Sequence, residues 1–317
     1  MDGILIIDKP MGLTSHDVVS RVRRILNTKR VGHTGTLDPF ATGVLVLLIG
    51  KATRLAQFLD KDEKEYEATV KFGYETDTGD RTGLEREKAE NTGQSRVRER
   101  AAESMSSLDY EVIEHALEKF RGQIDQVPPM FSAKKVEGKK LYELARKGQE
   151  IERKAVTVTI SRLEILDDSE EPGPQADGSS VPTDTVKLKV VCSAGSYVRT
   201  LAEDIGRELG VGAHLQELRR TRAGKFAISQ SSTLETLEQR SDPVTAILPI
   251  NEAVSHLPAM HLPADRVDRT RNGLASRYEG AASGGEAIQM LTPEGELAAI
   301  GIYNAGENIV QPKVVLI

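Results

Sequence analysis

The spacing of apolar residues predicts both helices and strands near the start of the chain. "GILIIDKP" predicts a strand ended by Pro10, and "TSHDVVSRVRRILN" predicts a helix with a Ser or Thr cap. "TGVLVLLIG" is apolar throughout, which is typical of a buried strand. "KATRLAQFL" has helical spacing, and "EYEATVKFGYET" alternates like a half-buried strand.

The middle of the chain places further elements between polar stretches. Residues 77–107 show no sustained period and are predicted to be mostly loop, and "DYEVIEHALEKFRG" predicts the next helix. Strands are predicted at 156–166 and 185–192, separated by an acidic segment rich in Pro, Gly and Ser that should project as a loop. "TLAEDIGREL" predicts a helix ended by Gly210, and Leu218 is assigned to a further amphipathic helix.

The hydrophobic pattern changes near Ile250. From there on, short alternating stretches are broken by Gly and Pro, which predicts a small β-rich domain of about 65 residues. A chain of 317 residues is long enough for two cores. We therefore predict an α+β protein with one domain at 1–249 and a second at 250–317.

Composition excludes several classes of protein and site. The longest apolar run is far shorter than the roughly 18 residues needed to span a bilayer, and the first residues lack the features of a signal peptide, so a cytoplasmic protein is expected. Cys192 is the single cysteine, and the six histidines show no paired spacing, so neither a disulfide nor a metal site is predicted. No phosphate loop, dinucleotide fingerprint or GxSxG motif occurs.

Charge is unevenly distributed along the chain. The net charge of −6 argues against a nucleic-acid partner, but residues 121–160 hold nine Lys or Arg against five acids, and residues 161–184 hold one Arg against seven acids. The basic segment has two interpretations: a solvated helix face with ion pairs, or part of an RNA-binding surface. The second interpretation would use basic side chains from two segments: Lys134, Lys135, Lys139, Lys140, Arg219, Arg220 and Arg222.

Three polar segments stand out, namely "GHTGTLDP", "KEYEATV" and "GSYVRTLAEDIG". Together with "IDKPMGLTSHD", "QVPPMFSAKKVEGKKLYELARKG" and "GVGAHLQELRRTRAGKF", they resemble the bacterial tRNA pseudouridine synthases of the TruB family, in order along nearly the whole chain. The resemblance implies a pseudouridine synthase fold, with a mixed, largely antiparallel sheet and flanking helices, and a C-terminal PUA-like β-barrel. It also implies conversion of uridine to pseudouridine at position 55 in the T loop of tRNA. The expected partner is the T arm of tRNA. No cofactor, guide RNA or membrane is expected, and the protein is expected to be a monomer.

The resemblance assigns the catalytic role to Asp38 and makes Arg199 its partner. A carboxylate suits the chemistry, because it can attack a sugar carbon or accept a proton from the neighbouring carbon. A planar guanidinium can pair with a carboxylate and hold its orientation. Two alternatives remain open from the residues alone: Asp38 could merely open an Asp-Pro turn, and Arg199 could pair with Glu203.

The remaining site residues are also assigned by resemblance. Tyr66 is expected to stack on the base, Tyr197 and Leu218 to line the uracil pocket, His33 to contact the flipped nucleotides, and Lys9 to support the site floor or bind a phosphate. Their alternative roles are core packing for Tyr66 and Leu218 and capping of a turn for His33.

Two other functions compete with a stand-alone synthase. The chain could be a non-catalytic RNA-binding module, or a catalytic subunit that depends on a guide RNA. Intact Asp38, Tyr66 and Arg199 argue against the first, and the lack of long basic extensions argues against the second. Two segments, 81–107 and 167–184, extend beyond a compact family pattern without removing a motif residue.

Overall fold

The structure is a computed structural model that describes residues 1–59, 62–86, 108–132, 134–136, 138–145, 147–149, 151–166 and 184–317. Most of the polar stretch predicted as loop (87–107) and nearly all of the acidic loop (167–183) lie outside the described residues. Residues 77–86 form neither a helix nor a strand, in agreement with the predicted loop. None of the helices in the described part of the chain is long and apolar enough to cross a membrane.

A nine-stranded sheet forms the centre of the molecule. Its main path runs β1-β3-β10-β4-β9-β8-β5, with β2 beside β3 and β11 beside β10. The strands are β1 (Gly3–Lys9), β2 (Val31–His33), β3 (Thr42–Ile49), β4 (Lys64–Phe72), β5 (Gly122–Gln126), β8 (Val156–Ile165), β9 (Thr185–Cys192), β10 (Ala213–Ala223) and β11 (Phe226–Ala227). The described neighbours pair antiparallel except β3 with β10, which are parallel, so the sheet is mixed and largely antiparallel as predicted.

Helices flank this sheet. They are α1 (Ser15–Ile25), α2 (Tyr110–Leu117), α3 (Leu141–Ala145), α4 (Val198–Glu208), α5 (Leu234–Gln239) and α6 (Ala264–Arg271). Helix α1 begins at a capping box in which Thr14 and Asp17 satisfy each other's main-chain N–H groups, as the sequence predicts. The segment predicted as helix at 51–59 forms a 3₁₀ helix, Gly50–Phe58.

Strand β3 is apolar throughout because both of its faces are covered. Leu45, Leu47 and Ile49 belong to one core cluster, together with α1 and α4. Val44, Val46 and Leu48 point the other way, into a second cluster. Since successive side chains of a strand alternate between faces, a continuous apolar run indicates a strand between two cores.

The C-terminal residues form a five-stranded sheet in the order β12-β14-β15-β16-β13. The strands are β12 (Ala259–His261), β13 (Ser276–Arg277), β14 (Ala287–Leu291), β15 (Leu297–Asn304) and β16 (Ile309–Val315). This sheet has a core of its own, but Ile300 and Val314 also join the second cluster beside β3. The β-rich portion that the sequence predicts is thus confirmed for these residues, and it shares apolar contacts with the central sheet.

Two sequence-based predictions are wrong. Leu218 lies in strand β10, not in an amphipathic helix. The basic segment after 133 is not one solvated helix face, because its described main chain forms a hairpin of β6 (Lys135–Val136) and β7 (Lys139–Lys140) followed by the short helix α3. The side chains of Lys135, Lys139 and Lys140 lie outside the described residues.

Candidate active site

The loop that carries Asp38 joins β2 to β3 and is held by buried side chains. The Ser15 hydroxyl accepts a hydrogen bond from the Leu37 N–H (2.8 Å) and donates to the Leu37 carbonyl (3.1 Å). On the other side of Asp38, the Lys9 ammonium donates to the Pro39 carbonyl (3.4 Å). The main chain on both sides of Asp38 is therefore fastened to the first strand and first helix, which limits its freedom to move.

Asp38 and Arg199 form a two-point ion pair. Arg199 Nε lies 3.0 Å from Asp38 Oδ2, and its Nη2 donates to Asp38 Oδ1 at 3.4 Å. The guanidinium also donates to the carbonyls of Thr78 (2.9 Å) and Phe131 (2.7 Å) and lies 3.7 Å from Asp80. Arg199 is only 5% exposed, so its charge is compensated almost entirely within the protein.

Both alternative roles can be compared with this geometry. Glu203 lies 3.8 Å from each of Arg86 and Arg207, and it is not the partner of Arg199. An Asp-Pro turn does form, since the Ala41 N–H donates to the Asp38 carbonyl (3.1 Å). That bond uses the main chain, so the Asp38 carboxylate is left for the ion pair and the cavity.

The protonation of Asp38 reflects opposing influences. Burial raises the pKa of its carboxyl above the ordinary value, the Arg199 guanidinium lowers it, and the negative charge of Asp80 raises it again. The net direction is upward, although 34% of the side chain remains open to the cavity. The ionised form is thus held in a poorly solvated place and stabilised mainly by one arginine.

A cavity of about 620 Å³ opens above the Asp38 carboxylate. Its walls bring together residues from β2, the β2–β3 loop, β4, β10 and the start of α4. The sequence-predicted residues that line it are His33, Asp38, Tyr66, Tyr197, Arg199 and Leu218. Lys9 is the one predicted site residue that does not line it.

The strand pairing explains how Tyr66 and Leu218 reach one cavity. Strands β4 and β10 are antiparallel neighbours, with Tyr66 opposite Arg220 and Leu218 opposite Ala68. Leu218 is buried and Tyr66 is partly buried against the core, so packing and cavity lining are combined in the same side chains. Tyr197 occupies the N-cap position of helix α4. It is fixed differently, because its main chain exchanges two hydrogen bonds with the buried side chain of Gln126 (3.0 and 3.3 Å).

The pKa values of His33 and Lys9 both lie below their ordinary values. Burial lowers the pKa of His33, the positive charge of Arg220 adds to this, and His33 Nδ1 accepts a hydrogen bond from the Gly35 N–H (3.3 Å). Burial lowers the pKa of Lys9 to about 8. Lys9 is fully buried, donates to the carbonyls of Pro10 and Leu13, and does not line the cavity.

Sequence reasoning missed several residues of the cavity wall. Lys64 and Arg220 line the cavity, as do the hydroxyls of Ser193 and Ser196. A signal existed for Lys64, because it stands two residues before Tyr66 in an alternating strand and must share its face. Arg220 was assigned to an RNA-facing surface, yet it is only 3% exposed and belongs to the wall of the cavity.

Comparison with known proteins identifies the family. A model described as the N-terminal domain of TruB family pseudouridylate synthases matches residues 23–198, and one described as the C-terminal domain of tRNA pseudouridylate synthase B matches residues 199–255. The chain belongs to the TruB family. It is 42% identical to the tRNA pseudouridine synthase B of Solibacter usitatus (strain Ellin6076), covering all of both chains. It is 39% identical to that of Geobacillus thermodenitrificans (strain NG80-2), covering 98% of each.

Solved structures show the same fold. A chain of an H/ACA RNP bound to a substrate RNA containing 2'-deoxyuridine has a TM-score of 0.70 and 26% identity, with 99% of this TruB chain and 85% of that chain covered. A chain of a Cbf5-Nop10-Gar1 complex gives a TM-score of 0.70 at 27% identity, with 99% and 84% covered. The predicted pseudouridine synthase fold is confirmed. As a TruB family member the protein is an enzyme, a tRNA pseudouridine synthase that isomerises uridine, and the non-catalytic alternative does not describe it.

Proposed function

We propose that this enzyme converts the uridine at position 55 in the T loop of tRNA to pseudouridine, with Asp38 as the catalytic carboxylate and Arg199 as its orienting partner. The observation that carries the proposal is the two-point pair between Asp38 and Arg199 at the floor of a cavity of about 620 Å³. It unites the polar segments that the sequence keeps more than 150 residues apart.

The reaction moves one bond and leaves the composition of the nucleoside unchanged. The bond from N1 to C1′ breaks, the uracil turns within the cavity, C5 bonds to C1′, and the proton displaced from C5 is returned at N1 through exchange with water. The Asp38 carboxylate can attack C1′ or accept the C2′ proton, and either route needs its ionised form. Neither route requires an oxidant, a reductant or an external group donor, in keeping with the proposal that no cofactor takes part.

The base would be flipped out of the RNA to reach this carboxylate. Stacking on an aromatic ring is worth about 1–3 kcal/mol per base, which offsets part of the cost of unstacking. We assign that contact to Tyr66, the sides of the uracil pocket to Tyr197 and Leu218, and contact with the flipped nucleotides to His33. Lys9 would act from below the floor.

We further propose a cytoplasmic monomer that recognises the T arm without a guide RNA. Support comes from the relatives that share 39–42% identity over 98–100% of the chain, which are tRNA pseudouridine synthases. The structural neighbours from H/ACA ribonucleoproteins share only 26–27% identity. Their fold similarity is the observation that keeps guide-RNA dependence as a second candidate.

The test is to incubate the purified chain with an unmodified tRNA transcript labelled with tritium at uridine C5, with no guide RNA present. Because C5 loses its hydrogen in the reaction, tritium release measures turnover, and nucleoside mapping locates the product. We expect about one pseudouridine per tRNA, and none when the uridine at the target position is replaced by cytidine. Product at another position, or only after a guide RNA is added, would contradict the proposal.

A further inference from the structure

Arg220 is a buried cation in the wall of the cavity. Its Nε donates to the Val44 carbonyl (2.6 Å) and its Nη2 donates to the Gly35 carbonyl (3.2 Å). Arg220 also lies directly opposite Tyr66 in the pairing of β10 with β4, and both residues line the cavity. One side chain therefore contacts the loop before Asp38 and the strand after it, and it is the cross-strand neighbour of Tyr66.

The charge of Arg220 is arranged differently from that of its neighbours in β10. Arg219 pairs with Asp8 at 2.7 Å, and Arg222 lies 3.9 Å from Glu65. Within the described part of the chain, Arg220 pairs with no carboxylate, although it is 3% exposed. A buried charge without a counter-charge is costly, and such groups are concentrated at functional sites.

The main chain is shaped to seat this arginine. Gly43 lies beside Arg220 in the parallel pairing of β3 and β10 and has a φ of +100°. A Cβ at position 43 would lie 2.8 Å from the Arg220 nitrogen and closer still to its carbonyl oxygen. Only glycine allows this approach, which brings the root of Arg220 against the strand that follows the Asp38 loop.

We propose that Arg220 is a positioning residue for the isomerisation, because it ties the loop that carries Asp38 to the ring of Tyr66 and so sets the distance between the carboxylate and the stacked uracil. This inference rests on the proposed function of Asp38 and Tyr66. A positioning role affects the chemical step more than binding, since a displacement of about 1 Å between reacting groups can slow a reaction about a hundredfold.

The experiment compares Arg220→Met with Arg220→Lys, each alone and combined with Tyr66→Phe. Single-turnover rates at saturating tRNA report the chemical step, filter binding gives Kd, and thermal unfolding confirms that each variant is folded. We expect Arg220→Met to slow the chemical step about a hundredfold while Kd changes less than about threefold. Arg220→Lys keeps the charge but not the fork, so its rate should fall between those of Arg220→Met and the parent.

The double variants separate positioning from general destabilisation. If Arg220 acts through Tyr66, losing both should cost less than the product of the two single effects. Arg222→Met is the matched control in the same strand, and its effect should multiply independently with that of Tyr66→Phe. Independent effects for Arg220 and Tyr66, an unchanged chemical step in Arg220→Met, or a loss of affinity alone would each overturn the proposal.

A second readout does not depend on turnover. The charge of Arg220 lowers the pKa of His33, so an NMR titration should show that this pKa rises in Arg220→Met and stays close to the parent value in Arg220→Lys. An unchanged pKa in Arg220→Met would mean that the guanidinium is not in the cavity wall. If the parent makes no pseudouridine in the T loop while the His33 shift is present, the proposed function fails and the placement of Arg220 stands.

Discussion

Replacing Arg199 by lysine tests whether the fork of the guanidinium, and not its charge alone, holds the catalytic carboxylate. Arg199 makes four polar contacts at distances of 2.7 to 3.4 Å: an ion-pair contact and a hydrogen bond to Asp38, and hydrogen bonds to two main-chain carbonyls. One ammonium cannot span acceptors that are reached by three separate nitrogens. We expect one bond to Asp38 and one to a carbonyl to be lost.

The magnitude follows from those two bonds. A hydrogen bond that involves a charged group contributes about 1.5–3 kcal/mol, so loss of one Asp38 contact should slow the chemical step about tenfold to 150-fold. The Asp38 side chain is 34% exposed to the cavity, and this screening favours the lower end of that interval. The lost carbonyl contact should lower the free energy of unfolding by a further 1–3 kcal/mol, approximately.

The assay is single-turnover tritium release at saturating tRNA, repeated across pH. Arg199 lowers the pKa of Asp38, so Arg199→Met should raise that pKa further and make the loss of activity on the acid side begin at a higher pH. Arg199→Lys keeps the charge, so the pH at which activity is lost on the acid side should change less. Arg207→Lys is the control. Arg207 lies on the same helix as Arg199 but outside this cavity, and it also makes two hydrogen bonds to one carboxylate, that of Glu75. If both lysine variants react at the parent rate, or both are slowed equally, the reasoning is wrong.

The other predictions concern the carboxylate, the basic segment and the C-terminal sheet. Asp38→Asn should abolish turnover but leave RNA affinity intact. If this variant still made pseudouridine at a tenth of the parent rate, Asp38 would not be the catalytic carboxylate. Because burial raises the pKa of Asp38 in the folded state, its ionised form opposes folding at neutral pH. The Tm of Asp38→Asn should therefore equal or exceed that of the parent at pH 7. This difference in Tm should vanish below a pH of about 4. Lys139→Glu with Lys140→Glu should weaken tRNA binding and flatten its salt dependence, and unchanged Kd values at several salt concentrations would place the RNA elsewhere. Removing residues 250–317 should lower Tm, because it exposes the second core cluster, and should weaken binding of full-length tRNA. Some turnover on an isolated T-arm hairpin should remain. Loss of that turnover in a folded truncated chain would show that the C-terminal sheet contributes to catalysis.

The periodicity of apolar residues predicted the helices and strands whose hydrophobic pattern is unbroken. Strand β1, helix α1, strand β3 and helix α4 each carry an unbroken pattern, and all four occur where the sequence places them. The pairing of Asp38 with Arg199 could not be obtained from periodicity, because it depends on a contact across 161 residues. That contact was expected only through resemblance to the TruB family.

Strand β10 shows why the remainder was missed. Leu215 and Leu218 stand three residues apart, as they would on one face of a helix, and both are buried. A bulge between 215 and 217 inserts an extra residue and restores both leucines to the same face of a strand. The same irregular alternation concealed Arg220, whose burial depends on the strands at either side. The apolar contacts between the two sheets likewise join residues far apart in sequence, so no single segment predicts them.

The two bulges of β10 also constrain how this chain can vary in length. Strand β10 pairs with β4 along 213–223 and with β3 at Arg219 and Arg220, so an inserted or deleted residue within it cannot be absorbed by a loop. A shift of one position would turn Arg220 away from the cavity. Arg219, which pairs with Asp8, would take its place in the cavity wall. We therefore expect this strand to accept substitutions far more readily than changes in length, and an engineered chimera should keep its crossover points outside residues 213–223.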